Sequence, residues 1–201
     1  MRDSGVSSIL SSGMSSYDEL DQAVNILSKT GHLKAILQCS SMYPCSAENV
    51  GLNVIKQLMS TYGDLAIGLS DHTTTDYASH SAVALGARVI EKHFTLTKYA
   101  YGPDARFSYE PDEMRRLSEG IRVIERMLDS HVDKDDVGQY SEMRQVFCKR
   151  IVAKEKIDRG EVIRYAMLTA KKSKYGVMPS QLPLILNGVT KREIQIDEII
   201  T

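Results

Sequence analysis

Four times before residue 130 the sequence runs from a short apolar segment into a stretch with helical spacing, and this alternation constrains the fold more than any other feature. Residues 8–13 read as a buried strand ended by small residues. Ser16 and Glu19 then form a capping box ahead of the stripe Leu20, Val24 and Leu27, which stops near Gly31. Residues 33–39 give the second strand, and 46–59 a helix with Val50, Val54, Ile55 and Leu58 on one face. Two more strands, 65–69 and 88–90, flank a helix over 76–85. The last helix opens at Glu110-Pro111 and carries Met114, Leu117, Ile121, Ile124 and Leu128 at three- and four-residue spacing. Such a repeat predicts an α/β fold with a parallel sheet and outer helices, the pattern of a (β/α) barrel, whose chemistry sits at the carboxyl ends of its strands. Four units are half of an eight-stranded barrel. An open half exposes edges and an apolar interior, so the sequence reads as incomplete at its front unless another chain supplies the rest.

The third and fourth strands end in Ser70-Asp71-His72 and Glu91-Lys92-His93. If they are parallel neighbours, about 4.8 Å apart, both imidazoles emerge at one sheet edge and can share a metal ion. A lone histidine at a strand end is more often structural, and His32, His80 and His131 are read that way. Asp71 suits either orienting a ring or capping the next helix, while Glu91 and Lys92 pair with each other or with the sheet. Cys39 reads as a small buried hydrophobe.

A net charge of −1 gives no electrostatic case for nucleic acid or an anionic membrane. The polar start lacks a signal-peptide core, and no run reaches the roughly 18 apolar residues of a membrane span. Cys39, Cys45 and Cys148 are odd in number and lack Cys-x-x-Cys spacing, which argues against a disulfide framework and fits a reducing cytoplasm. The chain therefore divides into a barrel portion over 1–129, a linker over 130–147 marked by Asp133-Lys134-Asp135-Asp136, and a module over 148–201. In that module 151–153 reads as a strand, 157–163 as a turn into a second strand, 165–168 as a short segment, and 194–200 as a closing apolar stretch. A module of about fifty residues is only marginally stable alone.

Taken in order, Leu10-Ser11-Ser12-Gly13-Met14, 37–44 (Leu-Gln-Cys-Ser-Ser-Met-Tyr-Pro), 68–73 (Gly-Leu-Ser-Asp-His-Thr), 91–96 (Glu-Lys-His-Phe-Thr-Leu) and Gly102-Pro103-Asp104 resemble the sialic acid (nonulosonic acid) synthase family. The end, from Ile151-Val152-Ala153 through Gly160-Glu161-Val162-Ile163 to Gly188, resembles the antifreeze-like (SAF) domain, a β-clip module that closes these enzymes. The resemblance implies condensation of phosphoenolpyruvate with an N-acylmannosamine-type sugar, dependent on a divalent metal, Mn2+ first, with Mg2+ or Co2+ as alternatives. It implies His72 and His93 as metal ligands and Ser11, Ser41 and Ser70 as binders of phosphoenolpyruvate. Tyr43 and Asp104 fall near the sugar. It also implies a domain-swapped homodimer.

Departures accompany the likeness. Lys172-Ser173-Lys174 stands where the family has Arg-Pro-Gly, whose arginine reaches a partner's active site, so Lys172 keeps the charge without the planar fork. Ala105 replaces a usual histidine, and Lys149-Arg150 a usual Arg-Ser. Gln38 falls where members vary. The family's front half supplies a glutamate that activates water and lysines that clamp phosphoenolpyruvate, so the expectation is a chain inactive alone, with a separate front half-barrel as one partner. The alternatives are a non-catalytic remnant that binds sugar or a partner, and an unrelated metal-dependent aldolase of barrel fold.

Overall fold

The computed structural model describes residues 5–201, which form two compact units, one reaching to His131 and one running from Val132 to Thr201. In the first unit, strands β1 (Ser8–Ser11), β2 (Leu33–Cys39), β3 (Ala66–Asp71) and β4 (Val89–Lys92) alternate with helices α1 (Tyr17–Ser28), α2 (Leu52–Thr61), α3 (Tyr77–Ala84) and α4 (Pro111–Asp129). All strands are parallel and lie in the order β1-β2-β3-β4. The expected capping box starts α1: the Ser16 N–H donates to Glu19 Oε2 at 2.8 Å, and the Glu19 N–H returns to Ser16 Oγ at 3.3 Å.

Register sorts the strand residues onto two faces. Leu10, Ile36, Ile67, Leu69 and Ile90 face the helices and pack with Leu20, Val24, Ile55, Leu58 and Ala82 in one apolar core. On the other face, Ser11, Leu37, Gly68 and Val89 are register partners in one row, and Cys39, Ser70 and Glu91 form the next. The sheet curls: Ile9 on β1 and Val89 and Glu91 on β4, the outermost strands, line one cavity of about 420 Å³ together with Met114, Leu117 and Ile121 of α4. The result is a curled parallel half-barrel with helices outside. Of the stripe predicted on α4, only Leu117 is buried, and Leu128 is exposed.

Gly68 is dictated by the inner row. A Cβ there would lie 2.2 Å from the Val89 carbonyl oxygen and 2.5 Å from Leu37 Cδ2. The first contact is backbone and cannot rotate away. Gly68→Ala is expected to destabilise the first unit by about 1–3 kcal/mol or more, read as a lowered urea midpoint, and a midpoint equal to the parent's would refute this packing.

One helix begins later than its periodicity suggests. Residues 47–49 form a 3₁₀ turn, Gly51 turns left-handed at φ 72°, and α2 starts at Leu52 rather than 46 and ends at Thr61. The cause is Gln38, whose Nε2 donates to the Val50 carbonyl at 3.2 Å and would sit 2.6 Å from a Cβ at position 51.

The second unit holds α5 (Ser141–Phe147), β5 (Lys149–Ala153), β6 (Leu168–Lys172) and α6 (Leu182–Ile185). The helix α5 occupies the end of the stretch 130–147 that is expected to be a linker. β5 pairs antiparallel with β6, and Ile151, Ala153, Ile157, Met167, Ile194 and Ile200 form the core. Residues 157–163 do not form the second strand expected there. Ile157 and Val162 make isolated bridges to Ile194 and Val189, because Gly160 at φ 85° turns the chain between them. The closing stretch 194–200 is likewise broken, with Asp197 at φ 65°.

Candidate metal and substrate site

His72 and His93 each follow the last residue of a strand, β3 and β4, at the carboxyl edge of the half-barrel. Alternation sends Asp71 and Lys92 toward the helices, so the next residue on each strand turns to the inner face. The two rings are 5.2 Å apart between centroids and perpendicular. Tyr43, from the loop after β2, stands 4.3 Å from the His72 ring and 5.7 Å from that of His93. Asp104 and Phe107 line a small cavity with these three residues, and Asp71 and Lys92 reach its wall.

One hydrogen bond orients His72. Its Nδ1 lies 2.7 Å from the Ser40 carbonyl, which only accepts, so Nδ1 is a donor and Nε2 is the ring nitrogen that the backbone leaves unengaged. Ser70 Oγ is 3.4 Å from that Nε2 and donates to Glu91 Oε1 at 2.6 Å. The phenol of Tyr43 is held above its ordinary pKa by partial burial, then by Cys39, Asp104 and Glu91. Tyr43 therefore keeps its proton and serves as a donor.

The spacing of the two imidazoles is compatible with one ion between them. A ring nitrogen about 2.1 Å from a metal places its ring centroid about 3.2 Å away, and were both rings to share one ion, centroids 5.2 Å apart would subtend roughly 109° at it. A carbonyl that fixes the tautomer of a ligating imidazole is the usual outer support of such a site. Among the described residues no group of three His, Cys, Asp or Glu is placed to hold a metal ion, and His72 and His93 stand as a pair.

The other residues predicted from sequence lie at successive strand ends. Ser11 closes β1 and is exposed, Ser41 follows β2 and is half-buried, and Ser70 on β3 is buried. Lys172 closes β6 in the second unit, its Nζ 5.1 Å from the centre of the Phe147 ring. Glu91 and Lys92 do not pair with each other: neighbours along one strand face opposite sides, so Glu91 takes Ser70 and Lys92 takes Asp71 at 2.9 Å. Asp71 bonds to Thr73, Ser79 and Lys92 and is not the N-cap of α3. Asp76 takes the N-cap position and accepts from Tyr109 Oη and Arg116 Nε. Burial, then the hydrogen bond and charge of Asp76, hold the Tyr109 phenol far above its ordinary pKa.

Sequence reasoning passed over the Asp71–Lys92 pair and Phe107. The signal for the pair was present: an acid and a base stand at matching places, each one residue before a histidine. Another cavity, about 460 Å³, is walled by Val50, Leu52, Thr73 and Ala78 and is lined by neither histidine.

A parallel half-barrel whose carboxyl strand ends carry two neighbouring histidines and several serines has the build of a β/α-barrel that works at that edge. The chain belongs to the NeuB family, whose model matches residues 1–133. It is 34% identical over 195 residues to N,N'-diacetyllegionaminic acid synthase of Campylobacter jejuni, covering 96% of this chain and 58% of that protein. It is 38% identical over 163 residues to human N-acetylneuraminate-9-phosphate synthase, covering 81% and 45%. Among solved structures it resembles the N-acetylneuraminic acid synthetase of Leptospira borgpetersenii, crystallised with citrate, at a TM-score of 0.63 and 33% identity, over 73% of this chain and 52% of that one. The chain thus spans about half the length of the relatives it matches.

Proposed function

We propose that this chain carries the carboxyl half-barrel and closing module of a nonulosonic acid synthase, which condenses phosphoenolpyruvate with an N-acylmannosamine-type sugar and releases phosphate. The observation that carries the reading is the His72–His93 pair, 5.2 Å apart with His72 oriented by the Ser40 carbonyl. In the reaction, C3 of phosphoenolpyruvate bonds to the aldehyde carbon of the open-chain sugar, water adds at C2, and phosphate departs.

His72 and His93 would hold the divalent ion, Mn2+ before Mg2+ or Co2+, and its chemistry when bound is Lewis-acid polarisation of the sugar carbonyl. Ser11, Ser41 and Ser70 offer hydroxyls toward phosphoenolpyruvate. Tyr43 donates a hydrogen bond to the sugar, and Asp104 accepts one across the same cavity. In this reading the second unit is the antifreeze-like module. Lys172 is its contribution to sugar binding, made in a domain-swapped dimer in the cytoplasm. Among the described residues no helix is long and apolar enough to cross a membrane.

The relatives run well beyond this chain, and the groups that clamp phosphoenolpyruvate and activate water fall outside these residues. Placement alone is worth roughly 7–11 kcal/mol of barrier, so the isolated chain is expected to be inactive. The test is phosphate release from phosphoenolpyruvate, N-acetylmannosamine and Mn2+, with the chain alone and mixed with a separately expressed front half-barrel. Activity in the mixture alone supports the reading. Turnover by the isolated chain overturns its incompleteness, and silence in both favours a sugar- or partner-binding role without catalysis.

A further inference from the structure

We infer that the buried Asp71–Lys92 ion pair is a positioning device that sets the distance and orientation of the His72 and His93 rings. Its metal-binding consequence rests on the function proposed above, whereas its effect on the rings does not. Asp71 and Lys92 are register partners at the last rung of the β3–β4 ladder, and each is followed by one of the two histidines. Their side chains are 0% and 3% exposed and meet at 2.9 Å.

The pair grips the backbone of Thr73, the residue just after His72. Asp71 Oδ1 accepts from the Thr73 N–H at 2.8 Å, and Lys92 Nζ donates to the Thr73 carbonyl at 2.7 Å. His72 thus lies between two residues locked by one ion pair. The Ser79 hydroxyl of α3 donates to Asp71 Oδ2 at 2.6 Å and ties that carboxylate to the helix layer. On the His93 side, Lys92 Nζ sits 4.4 Å from the centre of the Tyr109 ring, and the Tyr109 N–H donates to the His93 carbonyl at 2.8 Å.

Stability does not explain such a pair. Burying two charges costs about as much as their attraction returns, and well-packed apolar replacements are often neutral or stabilising. What the pair adds is directional: two strand ends are fixed to each other one residue before the rings diverge to the inner face. A site that must hold two ligands within about 0.5 Å of a working geometry needs such support. Asp71 and Lys92 therefore act through the histidines and are positioning residues.

The test uses the whole chain and the double variant Asp71→Asn/Lys92→Met, which removes both charges while keeping volume and an acceptor for the Thr73 N–H. Three quantities are read: thermal midpoint, Mn2+ affinity by electron paramagnetic resonance, and the nuclear Overhauser contact between the two imidazoles in metal-free protein. The expected result is a midpoint at or above the parent's, Mn2+ affinity weakened about tenfold or more, and loss of the ring-to-ring contact. Parental affinity and ring contact in the double variant would overturn the inference. Should that variant not fold, Asp71→Asn alone removes the ion pair while its Oδ1 still accepts from the Thr73 N–H, and the same loss of affinity and ring contact is expected. Parental values there would also overturn it. If His72→Ala binds Mn2+ as the parent does, the metal reading fails, and the ring contact alone decides the role of the pair.

Discussion

His72→Ala is expected to remove specific Mn2+ binding from the chain, with affinity falling by more than about a hundredfold, beyond the 10–100-fold typical of outer-support residues. The site offers two protein donors on adjacent strands, so deleting one leaves a single imidazole and no chelation. His72 is also the better fixed of the two, since the Ser40 carbonyl holds its Nδ1 proton at 2.7 Å and leaves Nε2 free to ligate. His93→Ala is expected to behave in the same way. The exposed His131 has no place in the cavity, and His131→Ala should bind as the parent does. Titration of free Mn2+ by electron paramagnetic resonance reads all three. Parental affinity in His72→Ala would remove the metal centre from the proposed function.

Lys92→Met alone is expected to cost the first unit about 3–5 kcal/mol. The substitution leaves the Asp71 carboxylate, with a side chain 0% exposed, facing a thioether. Thr73 N–H and Ser79 Oγ still donate to it, but two neutral donors do not replace the cation in a dry environment. Adding Asp71→Asn should restore most of the loss, so the two substitutions are strongly non-additive. The chain has no tryptophan, so urea unfolding is best followed by circular dichroism, with amide exchange in β3 and β4 to separate the first unit from the second. A single-variant loss below about 1 kcal/mol would mean that water reaches Asp71, contrary to its burial.

Signals confined to a few neighbouring residues were the ones that sequence carried well. The β/α alternation, the Ser16–Glu19 box and the proline opening α4 all appear at or near the positions expected. The two histidines meet because the strands bearing them are adjacent and parallel. What escaped depends on partners far apart in sequence. Gln38 reaches Val50 and delays α2. β5 chooses Leu168–Lys172 instead of the nearer apolar run 157–163, a choice made by the second unit's core rather than by local propensity. The Asp71–Lys92 pair needs the β3–β4 register, which periodicity does not contain. Gly120 accommodates the His80 ring, since a Cβ there would sit 2.4 Å from His80 Nε2, and neither residue announces the other.

In the first unit spatial order and chain order coincide, strand following strand across the sheet. Leu10 meets Ile36, Ile36 meets Ile67, and Leu69 meets Ile90, so no strand waits for a distant part of the chain. Each closure spans a single β/α step, and its entropic cost is met as soon as that step is complete. Folding can therefore keep pace with synthesis, each new unit docking on the one before it as it leaves the ribosome.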